Sequence, residues 1–260
     1  MRPAVADALS GDRIQLCGEF VVLLDGEPRA GELRGLQARA LLAFLVFERH
    51  RPVDRYDAIE ALWGERPPAA AAEALRALLS NLRRALGRER LVGREELRLR
   101  LPDRIWVDVE VAARAVHDAE SAVALEQWPR AWITAHVAMN IAGRSLLPRW
   151  SGSWIEERRL DMERTRLRAL EALAATGVGL GGTELSTAKR AARTLIDTDP
   201  YRESGHRFMM QALALEGNTA DALLVFERLR TRLRDDLGIA PSEETLRLHS
   251  ELLQAPGLSG

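Results

Sequence analysis

Apolar residues recur along this chain with two different periods, and the change of period divides it. Residues 13–17 and 20–24 read as two short strands, with Gly18-Glu19 between them and the turn Asp25-Gly26 after. Across residues 35–48 the period becomes helical. Leu36, Ala40, Leu41, Phe44 and Leu45 form a buried stripe there, while Gln37 and Arg39 point elsewhere. Residues 53–62 make a second, short helix, with Asp54 as its N-cap and Tyr56, Ile59, Leu62 and Trp63 facing inward. A third helix spans residues 68–86, where Leu75, Leu79, Leu82 and Leu86 keep the spacing of one apolar stripe. Pro67 and Pro68 suit its entrance and Gly87 its end. Residues 90–93 and 96–101 then alternate as a hairpin, with Leu97, Leu99 and Leu101 on one face and Arg98 and Arg100 on the other. Strands, three helices and a closing hairpin predict a winged helix-turn-helix over residues 11–104.

Beyond that point every segment is helical in period, at about 109–127, 129–141, 154–176, 184–197, 201–216, 219–237 and 242–254. Breaks fall at Gly143, Pro148, 177–182, Pro200, Gly217-Asn218 and 238–241. Helix pairs separated by short Gly/Pro breaks are the mark of an α-solenoid. The pair starting near Tyr201 has tetratricopeptide-like spacing, with Ala212 on its first helix, Gly217 at the turn, and Ala222 and Phe226 on its second. Three helix pairs and a capping helix fill residues 105–260, near the minimum for a self-standing array. The expected fold is mainly α with a small β component: a winged helix-turn-helix followed by a tetratricopeptide-like α-solenoid.

The third helix carries the candidate chemistry. At about 100° per residue, Glu73, Arg76, Ala77, Ser80 and Arg84 fall opposite the leucines, and Arg83, Arg84, Arg88 and Arg90 crowd the C-terminal end. Short side chains that reach base edges, beside guanidiniums for phosphates, are what a helix in a DNA major groove needs. The alternative is the solvated face of an ordinary amphipathic helix. Charge tips the balance towards DNA. The chain's net charge is −1, yet residues 81–100 hold seven arginines against Glu89, Glu95 and Glu96. Residues 1–104 sum to +2 and residues 105–260 to −3. Clustering on one element matters more for phosphate binding than the whole-chain sum.

Other chemistry is thin. The single cysteine, Cys17, excludes an intrachain disulfide framework and a cysteine-based zinc site. Met1 to Ser10 has neither pattern nor an apolar h-region and reads as a loose tail. No apolar run approaches the ~18 residues a membrane span needs, so a cytoplasmic protein is expected, nucleoid-associated on the DNA-binding reading of the third helix. Gly177-Val-Gly179-Leu-Gly181-Gly182 fits a dinucleotide fingerprint, but a helix precedes it and no parallel strand is at hand, so it reads as an inter-helix loop. His50, His117, His136, His206 and His249 keep no metal-ligand spacing, and His206 reads as a packing or capping residue. No catalytic set appears; an enzyme, a cofactor and a metal are not expected. Trp128, Trp132, Trp150 and Trp154 are either platforms for a ligand or locks between helix pairs.

The run from Arg39 to Gly87 resembles the DNA-binding domain of the Streptomyces antibiotic regulatory protein family, through Leu-Trp-Gly at 62–64, Pro-Pro at 67–68 and Ser-x-Leu-Arg-Arg at 80–84. The rest is similar to the bacterial transcriptional activation domain that follows it there. The matching stretches are GRSLLP at 143–148, ERRL at 157–160, DPYRE at 199–203 with His206 and Met210, and LGIAPS at 237–242. Arg76 and Leu78 depart from that pattern, which favours a glutamine-like residue at the first and a polar or aromatic one at the second. The chain is expected to end with the solenoid, without the ATPase or sensor modules of larger relatives. The resemblance implies a transcription factor, an activator, that binds direct repeats in double-stranded DNA as a homodimer and contacts RNA polymerase. On that reading Arg76, Ala77, Ser80 and Asn81 face base edges or the groove wall. Arg83 and Arg84, with Arg94 on the hairpin, clamp phosphates, and Arg39 is a further DNA-side candidate. The loop at residues 63–69 is where such winged helices touch polymerase, which makes Glu65 and Arg66 candidates. The competing reading is a helical-repeat regulator that senses a peptide or a small molecule.

Overall fold

The computed structural model describes residues 11–254; Met1 to Ser10, read above as a tail, lies outside them. Two compact units result. The first takes residues 11–111 with 141–163, the second 112–140 with 164–254.

In the first unit β1 (Arg13–Gln15), β2 (Val21–Leu24), β3 (Glu27–Pro28) and β7 (Trp106–Val107) form a sheet in the order β3-β2-β1-β7. β1 and β2 are antiparallel, with Ile14 opposite Val22, and β7 joins β1 in parallel, with Ile14 opposite Val107. The alternation puts Ile14, Val22 and Leu24 inside. β1 stops short of Cys17 because the N–H groups of Leu16 and Cys17 donate to the Asp108 carboxylate, at 2.8 and 2.7 Å. A second sheet, in the order β4-β6-β5, joins β4 (Val53–Asp54), β5 (Leu91–Val92) and β6 (Glu96–Leu99). The β5–β6 hairpin is the wing, with Leu91 opposite Leu99.

Three helices fill the space beside these sheets: α1 (Leu36–Phe47), α2 (Arg55–Trp63) and α3 (Ala71–Leu86). α1 is buried on nearly all sides from Ala38 to Val46. The expected stripe is therefore too narrow, and Leu36, placed in it, is 45% exposed because it opens the helix after Gly35. Tyr56 was expected inside and is 69% exposed. It occupies the first turn of α2, where its N–H donates to the capping Asp54 carboxylate at 2.7 Å, and Ala58, Ala61 and Leu62 supply the buried face instead. Residues 141–163 pack with this unit as well. Leu146 bridges to Cys17, Gly18 N–H donates to Ser145 O at 2.9 Å, and Arg158 pairs with Glu48 at 2.9 Å.

The second unit contains parts of α4 (Asp108–Ala124), α5 (Trp128–Ala142) and α6 (Ser153–Leu180). It is completed by α7 (Leu185–Thr198), α8 (Glu203–Leu215), α9 (Thr219–Arg232) and α10 (Glu243–Gln254). Small residues line its interior: Ala119, Ala135, Ala174 and Ala191 pack with Leu170, Leu173 and Leu195. The tetratricopeptide-like positions are filled as expected. Ala212 and Ala222 are fully buried, Gly217 has φ +82°, and Phe226 stacks on His249 at 3.8 Å between centroids.

The expected loop at 177–182 is instead helix as far as Leu180. A glycine costs roughly 1 kcal/mol in a helix interior relative to alanine, but here close packing demands it. A Cβ on Gly177 would come within 2.8 Å of Glu184 O, and one on Gly179 within 2.6 Å of the Trp128 ring. Only Gly181 and Gly182, at φ +68° and +55°, leave the helix.

Candidate nucleic-acid interface

α3 sorts its side chains as its period predicts. Leu75, Leu79, Leu82 and Leu86 are at most 1% exposed, each burial being worth roughly 1.5–3 kcal/mol. Arg76, Ala77, Ser80 and Arg84 stand exposed on the opposite face, and Asn81, half-buried, accepts from Arg84 at 3.1 Å.

Beside that face the wing closes a cleft of about 750 Å³ lined by Ser80, Arg83, Arg84, Arg88, Gly93 and Arg94, among others, and by no carboxylate among the described residues. Arg84, Arg88 and Arg94 have no acidic partner within 4.0 Å among the described residues. Glu89, Glu95 and Glu96, close in sequence, do not line it. Unopposed guanidiniums in one concavity add their fields, and an anion entering there would release little existing pairing.

Arg83 stands apart from its neighbours. Its Nε donates to Leu91 O at 3.0 Å and its Nη2 to Gly93 O at 2.7 Å, so it holds the wing against α3. Gly93 is required at this turn: its φ is +94°, and a Cβ would overlap the carbonyl oxygen of Glu96. Arg55 braces the other side by donating to Arg94 O at 3.0 Å. Arg90 is likewise committed, to Leu86 O at 2.7 Å and to the Asp25 carboxylate at 2.7 Å.

Arg39 is not part of the cleft. Its guanidinium lies 5.4 Å from the Phe20 ring centroid, and it lines a separate hollow with Leu36 and Trp150. Glu65 and Arg66 are exposed between α2 and α3. Two of the four tryptophans belong to each unit. Trp128 covers Gly179 and Trp132 lies 4.4 Å from His136 in the second unit, whereas Trp154 meets Phe44 edge-on at 5.4 Å in the first.

Residues 107–253, more than half of the chain, match the bacterial transcriptional activator domain family. The chain belongs to that family. The regulatory protein AfsR of Streptomyces griseus is 28% identical over 97% of this chain, which covers 25% of AfsR. The transcriptional regulatory protein EmbR of Mycobacterium tuberculosis is 29% identical over 92% of this chain and 62% of its own length. The transcriptional regulator RedD of Streptomyces coelicolor is 29% identical over 89% of this chain and 68% of its own. The structure of Mycobacterium tuberculosis EmbR in complex with a low affinity phosphopeptide superposes with a TM-score of 0.78 at 26% identity, over 93% of this chain and 64% of that one. The chain thus spans a quarter of AfsR and under two thirds of EmbR.

Two structural residues of this bacterial transcriptional activator domain protein escaped the sequence reading. Asp108, 1% exposed, accepts from Leu16, Cys17 and Val109 N–H groups and so ties the end of β1 to the start of α4. Burial pushes its carboxyl above the usual range, against the pull of those three bonds. The same burial, with Asp108 alongside, pushes the Cys17 thiol up, so Cys17 is an inert core residue. An acid immediately before a helical period is an N-cap signal, but nothing local shows that its partners lie some 90 residues upstream. Arg159, from the ERRL stretch, donates to the carbonyls of Leu146, Leu147 and Trp150 at 3.1, 2.7 and 2.7 Å. It pins a turn in which Leu147 has φ +39°. No helix among the described residues is long and apolar enough to cross a membrane.

Proposed function

We propose that this chain is a sequence-specific DNA-binding activator. In this reading α3 enters the major groove, with Arg76, Ala77, Ser80 and Asn81 towards base edges, while Arg84, Arg88 and Arg94 take backbone phosphates. Residues 11–104 act as the DNA-binding domain and 105–260 as the activation domain. Two copies occupy a direct repeat, and the segment 63–69, exposed from Glu65 on, meets RNA polymerase through Glu65 and Arg66. The observation that carries the reading is the carboxylate-free arginine cleft beside the exposed face of α3. A phosphate contact carries no base information, so Arg84→Ala should weaken specific and random duplexes alike. The slope of log affinity against log salt should fall by about 0.9. Electrophoretic shifts over a salt series measure both. An unchanged slope would remove Arg84 from the interface, and failure of the unaltered protein to shift any duplex at low salt would sink the reading.

A further inference from the structure

The second unit holds a groove that the DNA-binding reading does not use. Two hollows of about 840 and 720 Å³ lie along α7, α8 and α9 and share five lining residues: Arg193, Met209, Leu224, Val225 and Arg228. Their α7 lining runs from Ser186 to Asp197. At about 1.5 Å per residue that is roughly 16 Å, three turns of a docked helix. The shared floor is apolar, and Leu224 stands 52% exposed on it.

Charge decides what would sit there. Arg193 of α7 and Arg228 of α9 border the shared floor, and neither has a carboxylate within 4.0 Å among the described residues. The acids on the same walls are largely occupied. Glu227 pairs with Arg230 and Asp235 with Arg234, each at 2.7 Å, while Asp236 accepts from the Tyr201 hydroxyl at 3.2 Å. Asp197 and Asp221 have no ion-pair partner within 4.0 Å among the described residues, but each lines only one of the two hollows, whereas Arg193 and Arg228 line both. An apolar strip between two unopposed guanidiniums fits apolar side chains that alternate with carboxylates.

We infer that this groove docks an acidic amphipathic segment of a partner protein, its apolar side chains on Leu224, Val225 and Met209 and its carboxylates on Arg193 and Arg228. The inference does not depend on DNA binding, since none of its residues lies in the first unit.

The test uses the full chain and a fluorescein-labelled synthetic peptide of about three helical turns, built from paired leucines and aspartates. A twin carries lysine for each aspartate. Fluorescence anisotropy should show the acidic peptide binding with Kd on the order of tens of micromolar and the basic twin at least about tenfold more weakly. The double substitution Arg193→Glu with Arg228→Glu should reverse that order. Both arginines are exposed, so far-UV circular dichroism and the unfolding midpoint should not change. Leu224→Ser, also at an exposed position, should weaken the acidic peptide at least about fivefold through lost apolar burial. Equal binding of the two peptides, absence of binding, or indifference to the reversed arginines would each overturn the inference. Duplex shifts by the doubly substituted protein should match those of the unaltered chain, which separates this failure from failure of the DNA reading.

Discussion

Arg83 offers the sharpest separation of two roles that look alike in sequence. As a phosphate clamp it would act by charge; in the structure it acts by geometry, joining α3 to the carbonyls of Leu91 and Gly93. Hydrogen bonds from a charged donor contribute about 1.5–3 kcal/mol each when buried. Here one is half-buried and the other exposed, so the pair together is worth about 2 kcal/mol. Losing it shifts the docking equilibrium of the wing by a factor of about 30, the upper limit on the affinity lost. Burial of Leu97 and Leu99, and the Arg55 bond to Arg94 O, still hold the wing. Arg83→Ala should therefore weaken duplex binding about three- to tenfold, with the salt slope changed by less than about 0.3. Arg83→Lys keeps the charge but cannot span two carbonyls, so it should behave like alanine. The assay is the same shift titration over a salt series. A slope lower by about 0.9 in the alanine variant, restored by lysine, would make Arg83 a phosphate contact and refute the argument.

Asp108→Ala should cost about 3–5 kcal/mol in urea unfolding, because three buried N–H groups lose their acceptor. Asp108→Asn should cost clearly less, since one oxygen can still accept from both Leu16 and Cys17; equal losses would mean that the carboxylate's charge, not one accepting oxygen, sets the effect. Gly179→Ala should destabilise by about 1–2 kcal/mol despite the better helix propensity, because the new methyl meets the Trp128 ring. A stabilised variant would show that Trp128 swings away freely. His206 is held below its ordinary value near 6.5, by burial first, while its ring bonds Pro200 O at 3.1 Å. The unfolded chain then binds the proton more readily, so stability is full above about pH 6.5 and falls as the pH drops below it, by at most about 1.4 kcal/mol per pH unit. His206→Gln should flatten that fall in urea midpoints measured between about pH 7 and 5, and parallel curves would clear His206 of the role.

The winged helix and the repeats were legible because their signals are local. The leucines of α3 face one core, the strands of β1 and β2 alternate, and Ala212, Gly217, Ala222 and Phe226 keep a spacing that only a packed helix pair explains. Periodicity also separated the exposed face of α3 from its buried one, since both follow from the same rotation per residue. The misreadings have a common cause. Leu36 and Tyr56 are apolar residues at helix starts, and whether such a position is covered depends on what lies opposite, which period alone does not encode. The glycines at 177 and 179 looked like a break because backbone propensity is local, whereas the atoms that require them, on Trp128, Glu184 and Ala188, belong to neighbouring helices.

The site divides the same way. Sequence by itself determined that a basic, short-chained helix face exists and that arginines follow it, because composition and rotation per residue suffice for that. Tertiary structure decided which guanidiniums are free to meet an anion. Arg83 and Arg90 are consumed by backbone carbonyls and Asp25, Arg39 turns to Phe20, and Arg84, Arg88 and Arg94 are left to converge on one cleft. A guanidinium carries the same charge in every setting, and its role is set by the acceptors within about 3 Å of it, which only the folded chain brings there.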